Sequence, residues 1–110
     1  MIEVFYITID ESFGMLITGH AGAGEKGQDL VCAAASALAQ ALSTRAETVP
    51  AYHAKIRRDT ESASVSVVCT PGKKAREGCR EMFETILTGF ELLAEEYGEN
   101  VRVDKEGSST

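Results

Sequence analysis

At 110 residues the chain has room for one hydrophobic core built from a sheet and about two helices, and no room for a second domain. Its 17 acidic and 11 basic residues leave a net charge of −6. That balance argues against a sequence-independent nucleic-acid binder, which needs a basic footprint, and would attract a basic polypeptide.

Residues 2–9 alternate, with Glu3, Phe5, Ile7 and Ile9 on one face and Ile2, Val4, Tyr6 and Thr8 on the other. Their β-branched and aromatic types predict a strand covered on one side. Residues 10–14 carry turn chemistry and residues 15–18 resume an apolar run, so the two segments read as a hairpin whose second strand delivers His20. From Asp29 to about Arg45 the signals are helical: Asp29 is a good N-cap, six alanines fall between Ala33 and Ala41, and Leu38 and Leu42 are one turn apart. Thr48, Val49 and Pro50 end that helix. Residues 52–57 and 62–69 then read as strands joined at residues 58–61, with His53 a strand residue without chemical duty.

A second helix is expected from about Lys73 to Tyr97, where Ala75, Cys79, Met82, Phe83, Ile86, Leu87, Phe90, Leu93, Ala94 and Tyr97 follow the helical period and form a core-facing stripe. Gly98 stops it, residues 99–104 suit a short last strand, and residues 107–110 look like a loose tail on a single domain of residues 1–106. The order ββαββαβ predicts an α+β two-layer fold: a mainly antiparallel sheet of four to five strands with both helices on one face. No basic leader opens the chain, and no run of eighteen apolar residues would span a membrane. Three cysteines, without CxxC pairing, argue against a disulfide framework and suit a reducing cytoplasm.

The chemistry concentrates between Gly19 and Ser36. A thiol attacks as the thiolate, and the first turn of a helix lowers a thiol pKa. With Asp29 as N-cap, Cys32 falls at about the third helical position, and His20 at the strand end is placed to take its proton. This Cys/His pair is the minimum set for covalent acyl transfer. Gly22, Gly24 and Gly27 in the connection would let a peptide backbone approach and offer N–H donors to an oxyanion. Ser36 shares the Cys32 face at i+4, and Asp29 could orient His20.

Blander readings compete. A lone cysteine in an alanine-rich helix is usually a small buried hydrophobe, a histidine at a strand end is usually incidental, and Cys69 and Cys79 sit on apolar faces. The same glycines match GxGxxG, yet a hairpin precedes them and no parallel βαβ unit follows. A phosphate loop fails because Gln28 stands where its lysine is required. His20, Cys32 and His53 have the spacing of no common zinc motif, so neither metal nor cofactor is expected.

Gly19-His20-Ala21, then Gly27, Asp29, Val31-Cys32-Ala33 and Ser36, resemble the signature of the ribosomal-processing cysteine proteases, the Prp family of small bacterial proteins. The twelve-residue step from His20 to Cys32 agrees, and the whole chain resembles the family in length and element order. The resemblance implies a cytoplasmic, homodimeric cysteine endopeptidase that removes an N-terminal extension from a bacterial large-subunit ribosomal protein, without cofactor, membrane or direct nucleic-acid contact. Cys32 would be its nucleophile, His20 its general base and acid, and Asp29 and Ser36 supporting residues. A non-catalytic module assisting ribosome assembly is the alternative.

Overall fold

The computed structural model describes residues 1–19 and 26–108, with the backbone alone for residues 26–29 and 108. Alternation at the N-terminus produces strand β1 (Ile2–Ile9), which turns directly into β2 (Ser12–Thr18). Ile9 faces Ser12 across the hairpin, so Asp10 and Glu11 alone make the turn, and Asp10 takes a left-handed φ of 53°. Aspartate tolerates this conformation better than most residues. The second strand therefore begins earlier than its apolar run suggests, because Ser12 to Gly14 still find partners in β1.

Helix α1 (Lys26–Thr48) follows, then a 3₁₀ turn at Pro50–Tyr52, β3 (Lys55–Asp59), β4 (Ser64–Cys69), a second 3₁₀ turn at Lys73–Ala75, α2 (Arg76–Glu96) and β5 (Val101–Ser108). The sheet runs β3-β4-β2-β1-β5. All pairings are antiparallel except that of β1 with β5, which is parallel along the full length of β1. This is the expected α+β order, and the last strand is longer than the sequence suggests. Residues 105–108 lack a clear strand pattern and are extended because the edge of β1 supplies a ladder.

One sequence assignment is corrected before β3. His53 is not a strand residue. Proline at the start of a helical turn sets φ for helix, so Pro50–Tyr52 form a 3₁₀ turn that turns Tyr52 inward to 9% exposure. His53 caps it at φ 48° and ψ 52°, with its side chain exposed, and β3 starts two residues later.

One face of the sheet and both helices enclose the core. Ile2, Val4, Tyr6, Phe13, Met15, Ile17, Val67 and Cys69 meet Val31, Ala35 and Leu42 of α1 and Cys79, Phe83, Leu87 and Phe90 of α2. Every residue of the expected α2 stripe is buried or packed against this cluster. Tyr6 and Phe13 both stack on Phe83, with ring centroids 5.8 and 5.9 Å away. Burying a side chain of this size stabilises by roughly 1.5–3 kcal/mol, and Phe83 is fully buried. The small residues Ala35, Ala39 and Ala46 let α1 lie close to the sheet and to α2. Among the described residues no helix is long and apolar enough to cross a membrane.

Candidate active site

Helix α1 places Cys32 at one end of the sheet, half-buried against the core. Here the structure corrects the sequence reading. The helix begins at Lys26, a turn before Asp29, so Asp29 lies inside the first turn and is not the N-cap. Lys26 and Gln28 are themselves good helix formers, and they continue the helix backwards through Gly27, which belongs to α1. Cys32 accordingly falls in the second turn. The field of a helix terminus fades within one turn, so activation of this thiol depends on its neighbours more than on the helix end. His20, Gly22 and Gly24 lie outside the described residues, as does the side chain of Asp29.

What surrounds Cys32 is a hollow of about 320 Å³ between α1 and the sheet. Ile17, Val65, Ala35 and Ala39 give it apolar walls, and Ser36 lines it beside Cys32, as the i+4 spacing requires. Gly19, the residue immediately before His20, stands at its edge. Gly19 has a φ of 100°, and its N–H donates to the Ala63 carbonyl at 3.1 Å. Ala63 is itself left-handed, with φ 50°, in the turn between β3 and β4. The left-handed Ala63 and the Gly19 N–H that meets its carbonyl thus hold the exit of β2 against that turn, at the edge of the hollow.

Arg58 is a wall of the hollow that the sequence reading placed in a turn. Its register opposite Val65 puts it on the helix side of β3. There its guanidinium donates to Ser43 Oγ at 3.1 Å and lies 3.6 Å from the Glu47 carboxylate. Ser43 is 1% exposed and donates in turn to the Gln40 carbonyl at 3.2 Å. The Arg58 side chain is about half exposed, so its ion pair adds little stability; what the contacts supply is a fixed position for a cation beside the hollow. Its signal in the sequence was an arginine two residues after Ile56 in a strand that alternates, legible only once the strand's end is known.

The other two thiols are in different surroundings. Cys69 and Cys79 are fully buried in the core. Burial pushes the Cys69 thiol up to about 12 and raises that of Cys79 as well. Both stay protonated at neutral pH and neither is nucleophilic. Iodoacetamide should therefore alkylate Cys32 rapidly and increasingly with pH, leaving Cys69 and Cys79 unmodified until the protein unfolds. Peptide mass spectrometry over a time course reads the order, and equal slow labelling of all three would remove Cys32 as a reactive thiol.

Nucleotide binding by the glycine stretch loses its geometry. The neighbours of β2 are β1 and β4, both antiparallel to it, so the strand entering the loop belongs to no parallel βαβ unit of the kind that cradles a dinucleotide.

Comparison with known proteins identifies the family of the chain. The family model described as cysteine protease Prp matches residues 1–102. The fold is similar to the essential ribosomal processing protease Prp from S. aureus with a covalently linked product peptide: TM-score 0.77, 26% identity, covering 96% of this chain and 100% of that one. The same S. aureus protease with a substrate peptide gives TM-score 0.78 at 25% identity over 96% and 100% of the two chains. SMU.848 from Streptococcus mutans gives 0.80 at 28% identity over 98% and 96%. No curated protein is similar enough to add to these.

Proposed function

The chain belongs to the cysteine protease Prp family, and from that membership we propose that it removes the N-terminal extension of a large-subunit ribosomal protein in the cytoplasm of a bacterial cell, supporting ribosome maturation. The observation that carries the proposal is the exposure of one thiol: of the three cysteines Cys32 alone is not fully buried, and it lines an open hollow beside Gly19, the residue before His20.

In this reading the substrate's leader lies extended over Gly22, Gly24 and Gly27. His20 takes the Cys32 proton, and the thiolate attacks the scissile carbonyl to form a tetrahedral oxyanion. Collapse breaks the C–N bond as the histidine protonates the leaving amine, and water then hydrolyses the thioester with His20 again as base. Ser36 supports the pair from one turn along the same helix face, and Asp29 orients His20. An apolar leader side chain enters between Ile17, Val65, Ala35 and Ala39, where burial of one such residue contributes roughly 1.5–3 kcal/mol to binding. The net charge of −6 draws in the basic substrate, and the enzyme works as a homodimer without direct contact to nucleic acid.

Incubation with an extended ribosomal protein precursor should yield one shortened product and the free leader, both read by intact-mass spectrometry. Binding of the precursor without any change in its mass would overturn the proteolytic reading and leave a ribosome-assembly module.

A further inference from the structure

Arg58 stands in the wall of the Cys32 hollow with most of its hydrogen-bonding capacity unused. A guanidinium carries five N–H donors and no acceptor. Both contacts of Arg58, to Ser43 Oγ at 3.1 Å and to the Glu47 carboxylate at 3.6 Å, are made by Nη2. The donors on Nε and Nη1 make no hydrogen bond or ion pair with the described residues. Asp59, the acid next to it in the same wall, does not take them up, because its Oδ1 accepts the N–H groups of Glu61 and Ser62 at 3.0 and 3.4 Å. A planar fork tied down at Ser43, which is 1% exposed, is set to meet an acceptor that enters the hollow.

The tie at Ser43 also fixes how far that acceptor lies from the chemistry. Ser43 stands eleven residues after Cys32 in α1, close to three full turns, so the two side chains leave the same side of the helix. At about 1.5 Å per residue they are ~16 Å apart along its axis. An extended peptide advances about 3.3 Å per residue, so a chain lying along α1 with its scissile carbonyl at Cys32 passes Arg58 roughly four to six residues away. Ala35, Ser36 and Ala39 line the hollow between them, and Arg58 is the one cation in its wall among the described residues.

Charge decides which half of the substrate takes this path. The mature part of a ribosomal protein is basic and a cation in the wall repels it, so the half that runs past Arg58 is the leader. With Glu47 already beside it, the guanidinium suits a single acceptor group rather than a polyanion.

We infer that Arg58 is a specificity-determining residue, whose Nε and Nη1 donors hold a carboxamide or carboxylate side chain of the leader roughly four to six residues before the scissile bond. This rests on the proteolytic reading and names a feature of its substrate.

Leader-scanning kinetics test the assignment. Peptides spanning the extension and the start of the mature chain carry Gln, Glu or Leu at one leader position at a time, and kcat and KM are measured with wild type, Arg58→Met and Arg58→Lys. Methionine keeps an aliphatic stem against the apolar wall and removes the donors, lysine keeps the charge without the planar fork, and circular dichroism melts confirm that each variant folds. At one position in that range, Leu should raise the wild-type KM about tenfold over Gln or Glu. The change in kcat should be small, because the contact exists before and during the chemical step alike. With Arg58→Met the same exchange should move KM by less than about twofold. Preference for Glu assigns a carboxylate and preference for Gln a carboxamide; either bears the inference out. A uniform loss at all leader positions in Arg58→Met, as a purely structural tie between β3 and α1 would produce, or additive effects at every position, would overturn it. Fluorescence polarisation of the same peptides, labelled, on Cys32→Ala chains with and without Arg58→Met reads the contact without turnover. A chain that binds the leader through Arg58 yet cleaves nothing refutes the protease reading alone, and one that cleaves with no coupled position refutes this inference alone.

Discussion

Replacing Cys32 by alanine should abolish cleavage of an extended ribosomal precursor while leaving the protein folded. Removal of a nucleophile from a catalytic pair that acts as a unit lowers turnover by on the order of 10⁴-fold or more. The fold should scarcely respond. Cys32 is only half-buried at the edge of the core, the exchange removes one sulfur atom, and alanine is the better helix former at a position inside α1. The stability change should stay within about 1 kcal/mol. Parallel measurement of cleavage and of urea unfolding separates the two effects. Full cleavage by the alanine variant would show that Cys32 is not the nucleophile, and loss of folding would show that it serves the core instead.

Substituting alanine for Gly19 should damage both stability and activity. At φ 100° an L residue is strained, and the added Cβ would overlap the Met1 carbonyl oxygen and come within 3.2 Å of its carbon. Neither neighbour is a side chain that can swing away: both are backbone leading into β1, whose residue Glu3 is paired with Thr18 just before Gly19. Left-handed strain together with the overlap should cost about 2–4 kcal/mol, a fall in Tm of about 10–20 °C for a domain of this size. Because Gly19 borders the hollow of Cys32 and immediately precedes His20 in the sequence, cleavage should also fall at temperatures where the variant is still folded. A melting point within about 2 °C of wild type would mean that the start of β1 yields easily and that Gly19 is not a structural pivot.

The two substitutions illustrate how unevenly the site could be read beforehand. Cys32 and Ser36 lie on one helix face by spacing alone, and the structure brings both into one hollow. The role of Gly19 was hidden, since a positive φ and a backbone neighbour from the start of the chain are properties of folded geometry. Arg58 was misplaced for the same reason. Its strand ends later than local turn propensity suggests, and cross-strand pairing with Val65 decided the matter. The cap at Asp29 failed because a capping residue competes with the helix-forming tendency of the residues before it, and here that tendency carried the helix back to Lys26.

What the sequence determined by itself was whatever depends on local periodicity: the alternation of β1, the ten-residue stripe of α2, the helix of small residues that carries Cys32, the order ββαββαβ, and the chemical types gathered near Gly19. These follow from side chains spaced to suit a period of two or of 3.6, and no partner is needed to see them. The tertiary structure alone decided which face of β1 is core. Phe5, Ile7 and Ile9 are as apolar as Ile2, Val4 and Tyr6, and only the packing of two helices on one side buries the second set and leaves the first exposed. It also decided that β5 runs parallel to β1 through Ser108, and that Arg58 and the clamp of Gly19 on Ala63 border the hollow of Cys32. Each of these joins residues distant in the chain, and local pattern carries no information about a neighbour that arrives only when the chain has folded.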